Sequence, residues 1–171
     1  MKQDAFNLTD QQKKEFLGEH FGYEVDMLSY SAYKIKQLGE QSKGKHVWEM
    51  NMPQETFVLH SRNLIEFFYG DKQPQYPCDA RAYDFFEDKR VWEAARPQKT
   101  SNMVELMTRS GKEMAHITYL RISGTPPEKS WDDGQLNYEI LKVVKSFLEN
   151  LPSIYLSPEL EAMRKQIQKI A

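Results

Sequence analysis

The sequence predicts an all-α protein: a single domain over residues 1–171, folded as an antiparallel helical bundle of four main helices with one or two short ones. Three observations carry this. Apolar residues recur at spacings of three, four and seven along most of the chain. Period-two alternation is nearly absent, and Asp133-Gly134 lies at a helix start rather than between two strand-like segments. Gly- and Pro-containing stretches interrupt the helical pattern, and no repeat of solenoid period is present.

The elements follow in order. Thr9 and Gln12 form a capping box, after which Leu17, Phe21, Leu28, Ile35 and Leu38 make one stripe, ended by Gly39 and the polar residues through Lys45. Pro53 suits the first turn of a second helix, where its missing N–H costs nothing. Phe57, Leu64 and Phe67 form the main stripe of that helix, with Val58, Ile65 and Phe68 beside it, and Gly70 stops it. Residues 71–79, with Pro74 and Pro77, make a connection, and a short helix is expected over 80–88 because Tyr83 and Phe86 share a face. The stretch 89–100 is charged and contains Pro97, and its centre reads as a loop or a broken helix. Met103, Leu106 and Met107 begin a pattern that Met114, Ile117 and Leu120 resume, and Ser110 with Glu113 is a capping box at which a fresh helix can begin. A loop over 123–130 precedes a helix opened by Ser130 and Asp133, striped by Ile140, Val144, Phe147 and Leu151 and ended by Pro152. Ser157-Pro158-Glu159 starts the last helix, with Leu160, Met163, Ile167 and Ile170 on one face.

The 23 basic and 25 acidic residues leave a net charge of −2, which excludes bulk polyanion binding of the histone kind. The length suits one domain, and 40% apolar with 28% charged residues is a globular composition. The single cysteine, Cys78, reads as a surface thiol and can form neither an internal disulfide nor a Cys-rich zinc site. The polar N-terminus lacks a signal peptide, and no run spans a bilayer, so a cytoplasmic protein without membrane association is expected. Phosphate-cradling Gly-rich loops, a Gly-x-Ser-x-Gly elbow and a His-Glu-x-x-His pair are all missing from the sequence.

The remaining chemistry rests on histidines and their neighbours. His46 lies in a polar loop, and His20 adjoins Phe21. His60 falls between Phe57 and Leu64 at helical spacing and should face the core side. Glu113-Met-Ala-His116 has the Glu-x-x-His spacing of di-metal bundles, and Glu24 would add a carboxylate. The second Glu-x-x-His is missing, so no metal and no cofactor is expected. Glu24 and Arg62 stand on otherwise apolar stripes. They read either as a partly buried ion pair that fixes helix register, or as members of one polar site with His60 and His116. Lys89, Arg90, Arg96 and Lys99, with Trp92 among them, read either as a surface for single-stranded RNA or as a solvated loop with Trp92 tucked inward.

Arg109 and His116, six residues between them, resemble the R-x(4–6)-H motif of the HEPN superfamily of helical ribonucleases and nucleotide-binding domains. Ser110 stands where that pattern often has Asn, Asp or His. The strings from Leu59 to Phe68 and from Lys112 to Tyr119 also resemble small helical bacterial proteins. The resemblance implies a homodimeric, metal-independent ribonuclease or RNA-associated domain of a bacterial stress, toxin–antitoxin or defence system. Arg109 would hold the phosphate and His116 exchange the proton, with Glu24, His60 and Arg62 in support. The chemistry suits the residue types: imidazole titrates near neutrality, and guanidinium is a fixed, forked cation. The alternative is a non-enzymatic helical module that binds a protein partner, in which His116 and its neighbours fix packing.

Overall fold

Helix α1 (Asp10–Phe16) starts at a reciprocal cap: Gln12 N donates to Thr9 Oγ1 at 3.3 Å, and Thr9 N donates to Gln12 Oε1 at 2.9 Å. The chain then runs without a break through a π-helical turn, Leu17–Phe21, into α2 (Gly22–Glu40). This is a computed structural model that describes residues 8–40, 47–71, 76, 78–115, 119 and 131–169. Leu17, Phe21 and Leu28 are buried, as the stripe predicts, and Ile35 packs on the core edge.

Helix α3 (Val47–Tyr69) begins earlier than expected and carries Pro53 inside it. The missing N–H removes the hydrogen bond that would otherwise reach the Glu49 carbonyl, a local loss that the helix tolerates this close to its start. Phe57, Val58, Leu64, Ile65, Phe67 and Phe68 are all buried, and α3 packs most extensively against α2. The helix stops at Gly70, whose N–H closes on the Glu66 carbonyl at 2.8 Å.

The helix expected over 80–88 is only a 3-10 turn, Ala82–Phe85. Phe86 is extended (φ −124°, ψ 129°), and Tyr83, Phe85 and Phe86 are all buried. Within the stretch whose centre is expected as a loop or a broken helix lies α4 (Lys89–Ala95), capped by Asp88, held by complete burial of Trp92 and stopping before Pro97. Helix α5 (Ser101–Arg109), capped by Thr100, passes directly into a second π-helical turn, Ser110–Ala115. No fresh helix begins at Ser110. Its hydroxyl donates back to the Met107 carbonyl at 3.3 Å, and Glu113 turns to Arg109 instead of capping.

Asp132, rather than Ser130, caps α6 (Asp133–Asn150) by accepting from Gln135 N; Ser130 lies outside the described residues. Ile140, Val144, Phe147 and Leu151 are buried as expected. Helix α7 (Pro158–Ile167) starts at Ser157, whose Oγ accepts from Leu160 N at 3.3 Å; Leu160 and Ile167 are buried, and Ile170 is outside the described residues. Among the described residues there is no strand, so the protein is all-α. None of its described helices is long and apolar enough to cross a membrane.

The core centres on Phe147 of α6. Its ring meets Phe21 at 5.2 Å, Phe67 at 5.4 Å, Trp92 at 5.5 Å and Phe68 at 5.6 Å between centroids, mostly tilted or edge-on. This ties α3, α4 and the α1–α2 segment to α6.

Candidate functional site

The first polar constellation joins α2 to α3. His60, 6% exposed, brings its Nδ1 within 2.7 Å of Glu24 Oε2. A carboxylate can only accept, so Nδ1 carries the proton. Asn63, one helical turn along α3, donates to the same Oε2 at 3.1 Å. Glu24 Oε1 has no hydrogen bond among the described residues. The Tyr23 ring stands edge-on to His60 at 5.6 Å. Beside Glu24 opens a cleft of about 220 Å³, lined by Phe16, His20, Phe21, Glu24, Asn63, Leu64, Phe67 and Ala80.

Arg62 does not join this constellation. It is exposed, and the residue that reaches Glu24 is Asn63. The helix turn explains the substitution: residues three apart share a face, and Asn63 is three from His60 whereas Arg62 is two. That i, i+3 relation was the available signal for Asn63.

The second constellation surrounds Arg109 at the end of α5. Its Nε donates to Glu113 Oε1 at 3.0 Å and its Nη2 to Glu113 Oε2 at 3.1 Å, a two-pronged contact. Nη1 reaches Glu105 Oε1 at 3.2 Å. The guanidinium carbon stands 4.0 Å from the centroid of the Trp131 ring, a cation–π contact. The side chain is 15% exposed, and the hydrogen bonds it donates to Glu113 hold its proton more tightly than in free arginine, against the opposing effect of burial. Glu105 and Glu113 stand four residues either side of Arg109, a spacing legible in the sequence; Trp131 carried no such signal. His116 and His46 lie outside the described residues. His20 is exposed, with its ring 5.5 Å from Phe16.

Of the five residues read either as an RNA surface or as a solvated loop with Trp92 tucked inward, Lys89, Arg90 and Lys99 are exposed and Trp92 is turned inward. Trp92 has 0% exposure and offers no ring face to a base, because Phe147, Phe68 and Phe86 surround it. Arg96 donates from Nη1 to the Phe68 carbonyl at 2.9 Å, and Trp92 Nε1 reaches the same oxygen at 3.4 Å. Both satisfy a carbonyl in the last turn of α3, which has no partner within the helix. Arg96 also lies over the Tyr69 and Tyr83 rings, at 4.9 and 5.5 Å. Arg90 is exposed and tied to Asp88; Lys89 is exposed; Lys99 is exposed, with its ammonium 5.8 Å from the centroid of the Tyr69 ring.

One buried cation, Arg81, carried no signal in the sequence. Arg81 donates to the Ala80 carbonyl at 3.1 Å, to Glu66 at 3.1 Å and to Asp79 at 3.4 Å. Its Nε is buried without a partner among the described residues. Among the described residues, no group of three or more His, Cys, Asp or Glu side chains converges on a point that could hold a metal ion.

The chain has no significant match to a family model, a curated protein or a solved structure. The two constellations therefore stand on their own geometry. The Glu24 group offers a fixed carboxylate beside an aromatic-walled cleft. The Arg109 group offers a cation whose fork and flat face are both engaged.

Proposed function

We propose that the protein is a non-enzymatic helical interaction module, and that its partner is a second copy bound through α2. The reading is carried by the exposed face of that helix. Tyr23, Tyr30 and Tyr33 are each more than half exposed, and their spacing of seven and three puts them on one side. Asp26 and Lys34 lie on the same side, each four residues from Tyr30. If two copies of α2 cross antiparallel about a two-fold axis at Tyr30, Lys34 of each faces Asp26 of the other. Tyrosine is a residue that favours such contacts, combining ring area with low conformational cost. In this reading the helices form the antiparallel bundle of four main helices with shorter ones, and the dimer is cytoplasmic. Sedimentation equilibrium tests it: a dimer at micromolar concentration is expected. Asp26→Lys or Lys34→Asp alone should weaken it, and the double exchange should restore it. A wild-type monomer would overturn the reading.

A second reading keeps the resemblance to HEPN-like ribonucleases and RNA-associated domains of bacterial stress, toxin–antitoxin or defence systems. The observation in its favour is the π-helical turn Ser110–Ala115, which separates Arg109 from His116. Such insertions are frequent at functional sites. Against it stands the engagement of Arg109 with Glu113, Glu105 and Trp131, which leaves the fork no free pair of donors for a phosphate. Incubation with single-stranded RNA in EDTA decides between them. Cleavage that leaves a 2′,3′-cyclic phosphate and disappears in His116→Ala would establish the enzyme.

A further inference from the structure

We infer that the cleft beside Glu24 binds the head of an alkylammonium ion. The carboxylate is fixed in place, because His60 Nδ1 and Asn63 Nδ2 both bond Oε2, at 2.7 and 3.1 Å. That arrangement leaves Oε1 without a hydrogen bond among the described residues, and Glu24 lines the cleft. Asn63 also lines the cleft, and since its Nδ2 is spent on Glu24, its Oδ1 is a second acceptor. No lysine or arginine is among the lining residues, so the cleft supplies no aliphatic cation of its own.

The other walls are aromatic. Phe16, His20, Phe21 and Phe67 line the space, with Phe21 and Phe67 rings 5.3 Å apart and Phe16 and His20 rings 5.5 Å apart. Ring faces attract cations and also accept the methylenes of an alkyl chain. A volume of about 220 Å³ equals the share of roughly seven liquid waters at about 30 Å³ each. That suits a four-carbon amine and is too small to enclose a nucleotide. The chemistry thus specified is one ammonium on a short unbranched chain, supplied either by a free amine or by a lysine side chain.

The test is an NMR titration of the full chain with n-butylammonium, using n-butanol as a neutral control of the same shape. Saturable shifts confined to the cleft residues are expected, with a Kd on the order of 1 mM for so small a ligand. Butanol should bind at least about tenfold more weakly, and so should n-butylammonium to Glu24→Gln, which loses the charge but keeps an acceptor for His60 and Asn63. Ala80→Leu is the second variant. It fills the cleft, leaves the carboxylate intact and should also abolish binding, so a poorly folded Glu24→Gln protein would not block the test. An acetylated, amidated Ala-Lys-Ala peptide distinguishes the sources: tighter binding than butylammonium assigns a lysine side chain, equal or weaker binding a free amine. Equal binding of butanol, undiminished binding to folded Glu24→Gln, or no saturable shift in the wild type would overturn the inference.

Discussion

Gly70 and Arg81 are fitted to each other at the end of α3: a Cβ on Gly70 would stand 2.5 Å from Arg81 Nε and 2.5 Å from the Glu66 carbonyl oxygen. The Arg81 guanidinium is buried over this spot, and its bonds to Glu66, Asp79 and Ala80 anchor the chain that follows α3. The absence of a side chain at Gly70 lets the two segments approach this closely.

Gly70→Ala should therefore destabilise the protein by about 1–3 kcal/mol, the usual cost of forcing extra volume into a packed site. Urea unfolding would register this as a lower midpoint with an unchanged slope. In an Arg81→Met background, itself weakened by loss of the arginine's bonds, the glycine substitution should cost less, since Arg81 supplies two of the three atoms within 3.0 Å of the added Cβ, while the contact with the Glu66 carbonyl remains. An unchanged midpoint in Gly70→Ala would show that Arg81 moves aside freely.

The helical stripes were legible because burial demands periodicity. Phe57, Leu64 and Phe67, like Ile140, Val144 and Phe147, announce a face whatever it packs against. The boundaries were less legible. Pro53 and Ser110 each carry a local start signal, yet both lie within continuing helix: Pro53 gives up only the bond to the Glu49 carbonyl, and Ser110 turns its hydroxyl back to the Met107 carbonyl instead of capping. Trp92 was legible as a residue of two readings, and only the core around Phe147 decides between them. Glu24 and His60 stand 36 positions apart, so no spacing rule could pair them; periodicity could say only that each polar group sits on an apolar face. Arg81 gave no signal, since its partners come from a connection and from the end of another helix.

Tyr69 supplies a pH test. Burial pushes its phenol up to about 12, although the positive charge of Arg96 pulls the other way. The hydroxyl donates to the Pro97 carbonyl at 2.9 Å, a bond that a phenolate cannot make. The folded value lies above the unfolded value of about 10, so the fold favours the neutral phenol. The resulting stabilisation is complete below pH 10 and is lost as pH rises through 10 to 12. Tyr155 shares this behaviour, its phenol also raised to about 12 by burial and by the adjacent Asp10 carboxylate. Ultraviolet titration should show late-ionising tyrosines, and Tyr69→Phe should remove one of them. The variant should also lose less stability than wild type between pH 10 and 12. Identical pH profiles for the two proteins would contradict the assignment.

Arg109 is the residue on which the two functional readings make opposite demands. As a packing residue it bridges Glu105 and Glu113 along one helix and braces Trp131. Glu105 is 62% exposed, so that pair contributes little; Glu113 at 32% and the ring contact carry more of the effect. Arg109→Ala should accordingly cost about 1–2 kcal/mol, from the lost cation–π contact and the lost charged fork. Arg109→Lys should fall between, because lysine keeps the charge but not the paired, planar donors. Thermal unfolding of the three proteins checks this order. As a phosphate-binding residue of a ribonuclease, Arg109 would behave otherwise: the wild type would cleave RNA in EDTA, and Arg109→Lys would lose most of that activity with little change in melting. Removal of Glu113 separates the two demands further. Glu113→Gln frees one prong of the arginine fork. It should weaken a packing role, yet strengthen phosphate binding by removing the competing carboxylate. A Glu113→Gln protein that melts lower and binds RNA no better would place Arg109 in the packing of the α5 helix rather than in catalysis.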